Sequence, residues 1–352
     1  MVTRRAFLSL SGVALAGCLG AGAEPGGEGE VGEGGIPVRE PHRAGLPLAD
    51  YADETLRGAS QDGIPSIDDP VFVSPDETPL DDGDPVFGLV RDGVARAYPQ
   101  NVLVWHEIVN DTVAGDNVAV TYCPLTGTAM GFERGDAEFG VSGQLVNSNL
   151  VMYDRATNSW WGQIPGASIA GPHTGNGLQE FRLVWADWGD WRDAYPDTEV
   201  LSEQTGFSRN YNDDPYGGYN PTTGYYADED LSFPVLNEND RFHPKKVFTC
   251  VRDGDAAVAF SNAAVLDEKV ASVEAEGREY VAFHDDTLDA VYVYEDGRDA
   301  ENTNIEHDEG RYTDGTETWQ ADDAPERFRP VYAFAAMWFA WYAYYPHTEV
   351  YA

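Results

Sequence analysis

Val86-Phe87-Gly88-Leu89-Val90-Arg91-Asp92-Gly93 and Val247-Phe248-Thr249-Cys250-Val251-Arg252-Asp253-Gly254 share Val-Phe-x-x-Val-Arg-Asp-Gly at an offset of 161. A second match closes each stretch. Trp188, Trp191, Tyr195-Pro196 and Thr198-Glu199-Val200 return as Trp338, Trp341, Tyr345-Pro346 and Thr348-Glu349-Val350, at an offset of 150. The two matches keep their order, and the second interior is shorter by eleven residues. The chain therefore reads as two tandem diverged repeats.

Local patterns within each repeat point to short strands. Arg91-Asp92-Gly93, between Pro85–Val90 and Val94–Tyr98, predicts a hairpin in which Asp-Gly supplies the positive-φ turn. Val118–Cys123, Thr128–Phe132 and Leu150–Tyr153 read as further strands. Val184, Trp188, Trp191 and Tyr195 are spaced four, three and four apart, which predicts one face of a helix ended by Pro196. Phe334, Trp338, Trp341 and Tyr345 repeat that stripe. The charge-free run 331–345 is shorter than the roughly 20 residues that span a bilayer, so it reads as a buried helix. The expected fold class is α+β and β-rich, with each repeat a set of short strands closed by an aromatic-rich helix.

The N-terminus carries an address. Thr3-Arg4-Arg5-Ala6-Phe7-Leu8 reads as a twin-arginine export signal, followed by the short apolar segment Ser9 to Gly17. Leu15-Ala16-Gly17-Cys18 resembles a lipobox, which makes Cys18 the expected lipidation site. The run after it is rich in glycine and glutamate and buries too little apolar surface to offset its ordering entropy, so it reads as a flexible tether. The expected boundaries are signal 1–18, tether 19–45, first repeat with a site 46–205, linker or flap 206–245, and a second, degenerate repeat 246–352. These features place the protein outside the cytoplasm, held to the outer face of the membrane by lipid on Cys18.

Charge narrows the partners. The chain has 61 acidic and 22 basic residues, a formal net charge of -39, and its lysines are Lys245, Lys246 and Lys269. Such self-repulsion destabilises a compact chain unless salt screens it. At molar salt the Debye length falls to about 3 Å. The composition reads as adaptation to brine and argues against nucleic acid as a partner. Asn212-Asp213-Asp214-Pro215, in a tyrosine- and glycine-rich stretch, reads as a solvated loop ahead of a calcium site. The sequence has no Walker loop, no dinucleotide fingerprint and no Gly-x-Ser-x-Gly elbow, which disfavours phosphoryl transfer, nicotinamide chemistry and α/β-hydrolase chemistry.

Candidate chemistry concentrates between Trp105 and His173. Cys123 leaves the strand Val118–Tyr122 and enters Pro124-Leu125-Thr126-Gly127, a turn of fixed shape where a hydroxyl or backbone N–H groups stabilise a thiolate. His106 is the candidate proton donor beside it. Glu107, Asn110, Asp111, Thr126, Gly127, Asp154, Arg155 and Gln163 are the candidate binding residues, as the nearest polar groups in sequence. At the offset of 161, Cys123 falls opposite His284, so the second repeat loses the thiol. Two other readings of Cys123 stay open: a disulfide with Cys250, and an inert core residue. There is no Cys-x-x-Cys pair. A copper-like set of His106, Cys123, Met130 and His173 has suitable donor types but matches no metal-binding spacing.

The blocks Tyr98-Pro99, His106-Glu107-Ile108-Val109-Asn110-Asp111, Thr121-Tyr122-Cys123-Pro124-Leu125-Thr126-Gly127-Thr128-Ala129, Leu150-Val151-Met152-Tyr153-Asp154-Arg155 and Trp161-Gly162-Gln163 carry a resemblance. They are similar to the bacterial and archaeal domain-of-unknown-function family 3179 over roughly residues 80 to 350, and the block around Cys123-Pro124 is its most specific part. Some members of that family are described as selenoproteins, which implies a redox-active chalcogen at the position of Cys123. The resulting expectation is an extracytoplasmic lipoprotein with thiol-dependent redox or metal handling at Cys123, its cofactor unassigned and its partner a small molecule or a redox protein. The alternative is a non-catalytic surface module that binds a ligand or a protein.

Overall fold

A computed structural model describes residues 30–297 and 305–352. The expected export signal, Cys18 and the first part of the expected tether lie outside the described residues. The first unit comprises β1 (Pro85–Arg91), β2 (Val94–Pro99), α1 (Gln100–His106), β3 (Ile108–Val113), β4 (Asp116–Cys123), β5 (Thr128–Glu133), β6 (Phe139–Val146), β7 (Asn149–Asp154), β8 (Val184–Asp187), α2 (Trp188–Ala194) and β9 (Glu199–Leu201). The second comprises β10 (Val247–Asp253), β11 (Ala256–Ser261), α3 (Asn262–Glu268), β12 (Val270–Ala275), β13 (Arg278–Asp285), β14 (Ala290–Asp296), β15 (Ala333–Met337), α4 (Trp338–Tyr344) and β16 (Glu349–Tyr351). The protein is thus α+β and β-rich. Among the described residues no helix is long and apolar enough to cross a membrane.

Strand order recurs between the units. One sheet runs β8-β1-β2-β9 and continues to Phe72–Val73; its counterpart runs β15-β10-β11-β16. In both, the last of these pairings is parallel, with Val200 level with Ala97 and Val350 level with Ala259. A second sheet runs β3-β4-β5 and ends on Glu180–Phe181, and its counterpart runs β12-β13-β14 and ends on Phe328–Pro330. The first unit adds an eight-stranded sheet containing β6 and β7, which also takes in Pro37–Arg39.

Pairing corrects the offset read from sequence. Val86 pairs with Pro99, the residue before α1, whereas Phe248 pairs with Ser261, the residue before α3. The structural offset is therefore 162, not 161. The first hairpin turns on Asp92-Gly93 and the second on Gly254-Asp255, so the shared Val-Arg-Asp-Gly is out of step by one residue. A one-residue slip reverses the face of every side chain. Accordingly Val90 is exposed while Val251 is fully buried. Tyr122, not Cys123, is the position level with His284: Tyr122 N donates to Glu107 O as His284 N donates to Lys269 O. Cys123 is level with Asp285.

The aromatic stripes also resolve differently. Val184 belongs to β8, paired with Gly88, and α2 starts only at Trp188 after the extended residue Asp187. Run 331–345 likewise divides into β15 and α4. Fifteen apolar residues do not by themselves distinguish a buried helix from strand plus helix. Each unit also has an additional helix, α1 or α3, after its first hairpin. The end of the expected tether is packed: Ile36 is fully buried and Pro37–Arg39 is a sheet strand, because Ile36 and Val38 supply the apolar surface that the Gly-Glu run lacks.

The core crosses between the units. Cys123, Leu125, Met130 and Phe132 cluster with Phe248, Cys250, Ala336, Met337 and Trp338. The turn after Cys123 therefore lies in a seam.

Candidate functional site around Cys123

Cys123 is the last residue of β4, and 124–127 close the turn to β5. Thr126 N donates to Cys123 O at 3.3 Å, and Gly127 takes φ 57°. All four turn residues are buried. Met337 N, at the end of β15, donates to Thr126 O at 3.1 Å, and the Tyr225 hydroxyl donates to Leu125 O at 2.9 Å. The turn is thus clamped by the second unit on one side and by the segment between units on the other.

The thiol is 1% exposed and free. Its Sγ lies 3.8 Å from Ser148 O. Burial pushes it up to about 11, and charge on Glu107 adds to the rise. Cys250 is likewise free and buried, so the disulfide reading is corrected: each sulfur sits in its own strand environment, Cys250 Sγ against Phe248 O at 3.5 Å.

Glu107 is the acidic residue whose charge acts on the thiol, and its backbone O accepts from Tyr122 N, next to Cys123. It caps α1 with φ 57° and passes the chain directly into β3, which pairs with β4. Its side chain is 6% exposed, with no hydrogen-bonding or ionic partner among the described residues, and burial pushes the carboxyl up to about 8. The positive φ itself belongs to the architecture, since Lys269 holds φ 67° at the equivalent place.

His106 points elsewhere. Its Nδ1 meets Pro65 O at 2.7 Å and its Nε2 meets the Tyr211 hydroxyl at 2.8 Å. A carbonyl only accepts, so Nδ1 carries the proton and Nε2 accepts from Tyr211. Burial lowers its pKa, which keeps the ring neutral. Both nitrogens are committed to loops outside the thiol's surroundings, which corrects its role as proton donor to Cys123.

The other sequence candidates divide into two groups. Thr126 and Gln163 do support the turn, through a residue that sequence reasoning missed. Asn149 Nδ2 donates to Thr126 Oγ1 at 3.1 Å and to Gln163 Oε1 at 2.8 Å, and Gln163 Nε2 donates to Thr121 Oγ1 at 2.9 Å. Asn110, Asp111, Asp154 and Arg155 serve other contacts. Asn110 joins Asp68 and the Phe139 backbone, and Asp111 is held by Arg96 and the Tyr98 hydroxyl. Asp154 caps its own turn and accepts from Trp161 Nε1, while Arg155 pairs with Asp68 and Glu138 nearer the surface. The copper-like set does not gather. His173 Nε2 meets Glu33 O at 2.7 Å and Met130 is a core side chain. Among the described residues no group of three or more histidine, cysteine or acidic side chains is placed to hold a metal.

Sequence reasoning also missed the tyrosines of segment 211–226. Tyr122 and Tyr219 share a hydrogen bond of 2.9 Å between hydroxyls, and Tyr219 stacks on Tyr226 with centroids 4.1 Å apart. Asp214 accepts from Gln100 Nε2 at 2.8 Å and from the Tyr226 hydroxyl at 3.0 Å. Asp214 thereby joins the tyrosine network, half-buried. Tyr225 is tied to the turn through Leu125 O, and Tyr216 packs edge to face on Tyr225 with centroids 6.0 Å apart. Burial first, then charge on Glu107 and Cys123, holds the Tyr216 phenol well above its ordinary range. The tyrosine spacing was legible in sequence, but nothing local tied it to Cys123.

No curated protein and no solved structure matches the chain. The family model described as "Protein of unknown function (DUF3179)" matches residues 61–348, a span that contains the thiol, Glu107, the tyrosine segment and most of the second unit. By that match the chain belongs to the DUF3179 family.

Proposed function

We propose that this chain is an extracytoplasmic lipoprotein adapted to brine, built by tandem duplication, whose first repeat carries a thiol-dependent redox site at Cys123 with Glu107 as its proton-handling partner. The observation that carries the reading is the free thiol of Cys123 on the strand that bonds the Glu107 backbone through Tyr122 N, with the Glu107 carboxyl largely buried and without a hydrogen-bonding or ionic partner among the described residues. Duplication is supported by the shared strand order and the constant registers. The second copy has Asp285 for Cys123 and Lys269 for Glu107, and so lacks both members of the pair.

In the resting state the thiol stays protonated. Reaction requires Glu107 to ionise and accept the Sγ proton, which a carboxyl titrating near neutral pH is suited to do. With hydrogen peroxide as oxidant, Sγ bonds to one oxygen as the O–O bond breaks. Sulfur becomes a sulfenic acid, and the other oxygen takes the proton and leaves as water. The decisive experiment is peroxide treatment of folded protein in molar salt, with sulfenic acid trapping resolved by peptide. Modification of Cys123 in the wild type, reduced at least about tenfold in Glu107→Gln, is expected.

A second reading, a non-catalytic binding module, is favoured by the complete burial of the thiol, since buried thiols in apolar surroundings are inert. Modification of Cys123 only on unfolding would replace the redox reading with this one. The anchor has its own test. Cys18→Ser is expected to shift the protein from the membrane fraction to the medium, and retention on the membrane overturns the lipoprotein assignment.

A further inference from the structure

Segment 39–48 encloses a cavity of about 810 Å³ against Gly254-Asp255, the hairpin turn between β10 and β11. The segment is pinned where it meets the second unit. Arg43 N donates to Gly254 O at 2.9 Å, Gly254 N donates to His42 Nδ1 at 2.9 Å, and Gly45 N donates to Tyr344 O at 2.7 Å. Gly45 runs so close to the second unit that an added Cβ would meet Pro346 Cδ at 2.9 Å. The concavity is therefore built into the fold. None of the residues that support Cys123 lines it.

Three lining residues carry donors. Arg43 is exposed, and its guanidinium has no hydrogen-bonding or ionic partner among the described residues. His42 accepts at Nδ1 from a backbone N–H, which can only donate, so the ring is neutral and its proton sits on Nε2. Burial, then the charges of Arg39, Arg252 and Arg278, lower its pKa and keep it so. No partner meets Nε2 among the described residues. Arg39 belongs to a cluster in which two guanidiniums share one carboxylate. Glu180, 3% exposed, accepts from Arg39 Nη2 at 2.9 Å and from buried Arg252 Nη1 at 3.1 Å. That cluster keeps one positive charge in excess. Leu46, Pro47 and Leu48 give the cavity an apolar wall. Glu40 and Asp255 also line it, both exposed. Their repulsion is screened within about 3 Å in molar salt, whereas a guanidinium holds an oxyanion by direct, charge-assisted hydrogen bonds.

We propose that this cavity binds a small soluble organic anion, its carboxylate or phosphate held by Arg43, His42 Nε2 and Arg39 and its apolar body laid along Leu46 to Leu48. The volume is that of an ordinary small-molecule site, and a mostly apolar wall with a few fixed polar groups is the usual composition of one. The site does not depend on the redox reading, since it shares no residue with the surroundings of Cys123.

Four six-carbon probes test this: hexyl phosphate, hexanoate, hexanol and hexyltrimethylammonium. Each is titrated against the Cys18→Ser chain in molar potassium chloride, with binding read by equilibrium dialysis. Saturable binding of the two anions is expected, at least about tenfold tighter than that of hexanol or the cation. Arg43→Gln, an exposed change that leaves the fold intact by thermal unfolding, is expected to weaken both anions at least about tenfold and to leave hexanol unchanged. Arg43→Lys restores only part of the affinity, because an ammonium lacks the planar fork. Equal binding of hexanol and the anions overturns the oxyanion site, and tighter binding of the cation does the same. Anion binding that Arg43→Gln leaves unchanged overturns its placement in this cavity. Absence of saturable binding by either anion overturns the site altogether. Flotation of the Cys18→Ser chain with phosphatidylglycerol vesicles, abolished by Arg43→Gln, would overturn the soluble source and give the cavity to a lipid headgroup.

Discussion

The turn 124–127 and the turn 286–289 have the same length, join equivalent strands and end on a residue of positive φ, 57° at Gly127 and 50° at Asp289. Their surroundings are opposite. The first is buried throughout, between Met337 of the second unit and the tyrosine segment. The second faces solvent and is laced with charge: His284 bonds Asp286 at 2.9 Å and Asp289 at 2.7 Å, and Lys269 pairs with Asp286 at 2.6 Å. The strand-to-strand turn is supplied by the fold, but a site arises only where other chain segments exclude water from it. Excluding water is what moves Glu107 and Cys123 toward their neutral forms, because ionisation without a partner is costly in a poorly solvated place.

The largest expected effect that sharpens this contrast is a pH dependence at Glu107. Its folded-state pKa of about 8 lies above the ordinary 4.5, so the folded protein keeps a proton that the unfolded chain gives up. The stabilisation is fully present below the ordinary value and is lost as pH rises through the interval to about 8, at up to ~1.4 kcal/mol per pH unit. Glu107→Gln removes that slope. Relative to wild type it should gain a few kcal/mol between pH 5 and pH 8, read from thermal unfolding in molar salt. Parallel pH curves for the two proteins would show that Glu107 is solvated and that the contrast with the second turn is false.

Next in size is Gly127→Ala. The positive φ costs a non-glycine residue about 1 kcal/mol. The added Cβ also meets Met337 Cε at 3.0 Å and the Tyr219 hydroxyl at 3.3 Å. A loss of about 1–2 kcal/mol is expected in equilibrium unfolding. Asp289 shows that this backbone accepts a side chain where the space is open. A change in Gly127→Ala below a few tenths of a kcal/mol would therefore mean that the first turn is open too.

Smallest is Lys269→Met. The Lys269–Asp286 pair is about one-third exposed, so its removal should change stability by no more than about 1 kcal/mol. A larger loss would mark the charged turn as a buried network, and the two turns would then differ in chemistry but not in solvation.

Local physics was legible in the chain. Asp92-Gly93 announced its hairpin, the runs 118–123 and 128–132 announced β4 and β5, and Pro124 to Gly127 announced the turn that puts Cys123 at a strand end, because each depends on residues within a few positions of one another. Repetition of the aromatic stripe announced equivalent positions, with Trp191 Nε1 bonded to Thr198 as Trp341 is to Thr348. Tertiary structure decided the rest. Cross-strand pairing fixed the offset at 162, since a slip of one residue looks harmless in sequence yet reverses the buried face. Pairing of Val184 with Gly88 turned half of a helical stripe into a strand. His106 and Glu107 are adjacent in sequence, yet the end of α1 bonds the first to Tyr211 and Pro65 and leaves the side chain of the second without a hydrogen-bonding partner among the described residues. Which partner a buried polar residue meets depends on what arrives from about 100 positions away, as Tyr211 does on His106 and Tyr225 on Leu125, and no local pattern encodes that arrival.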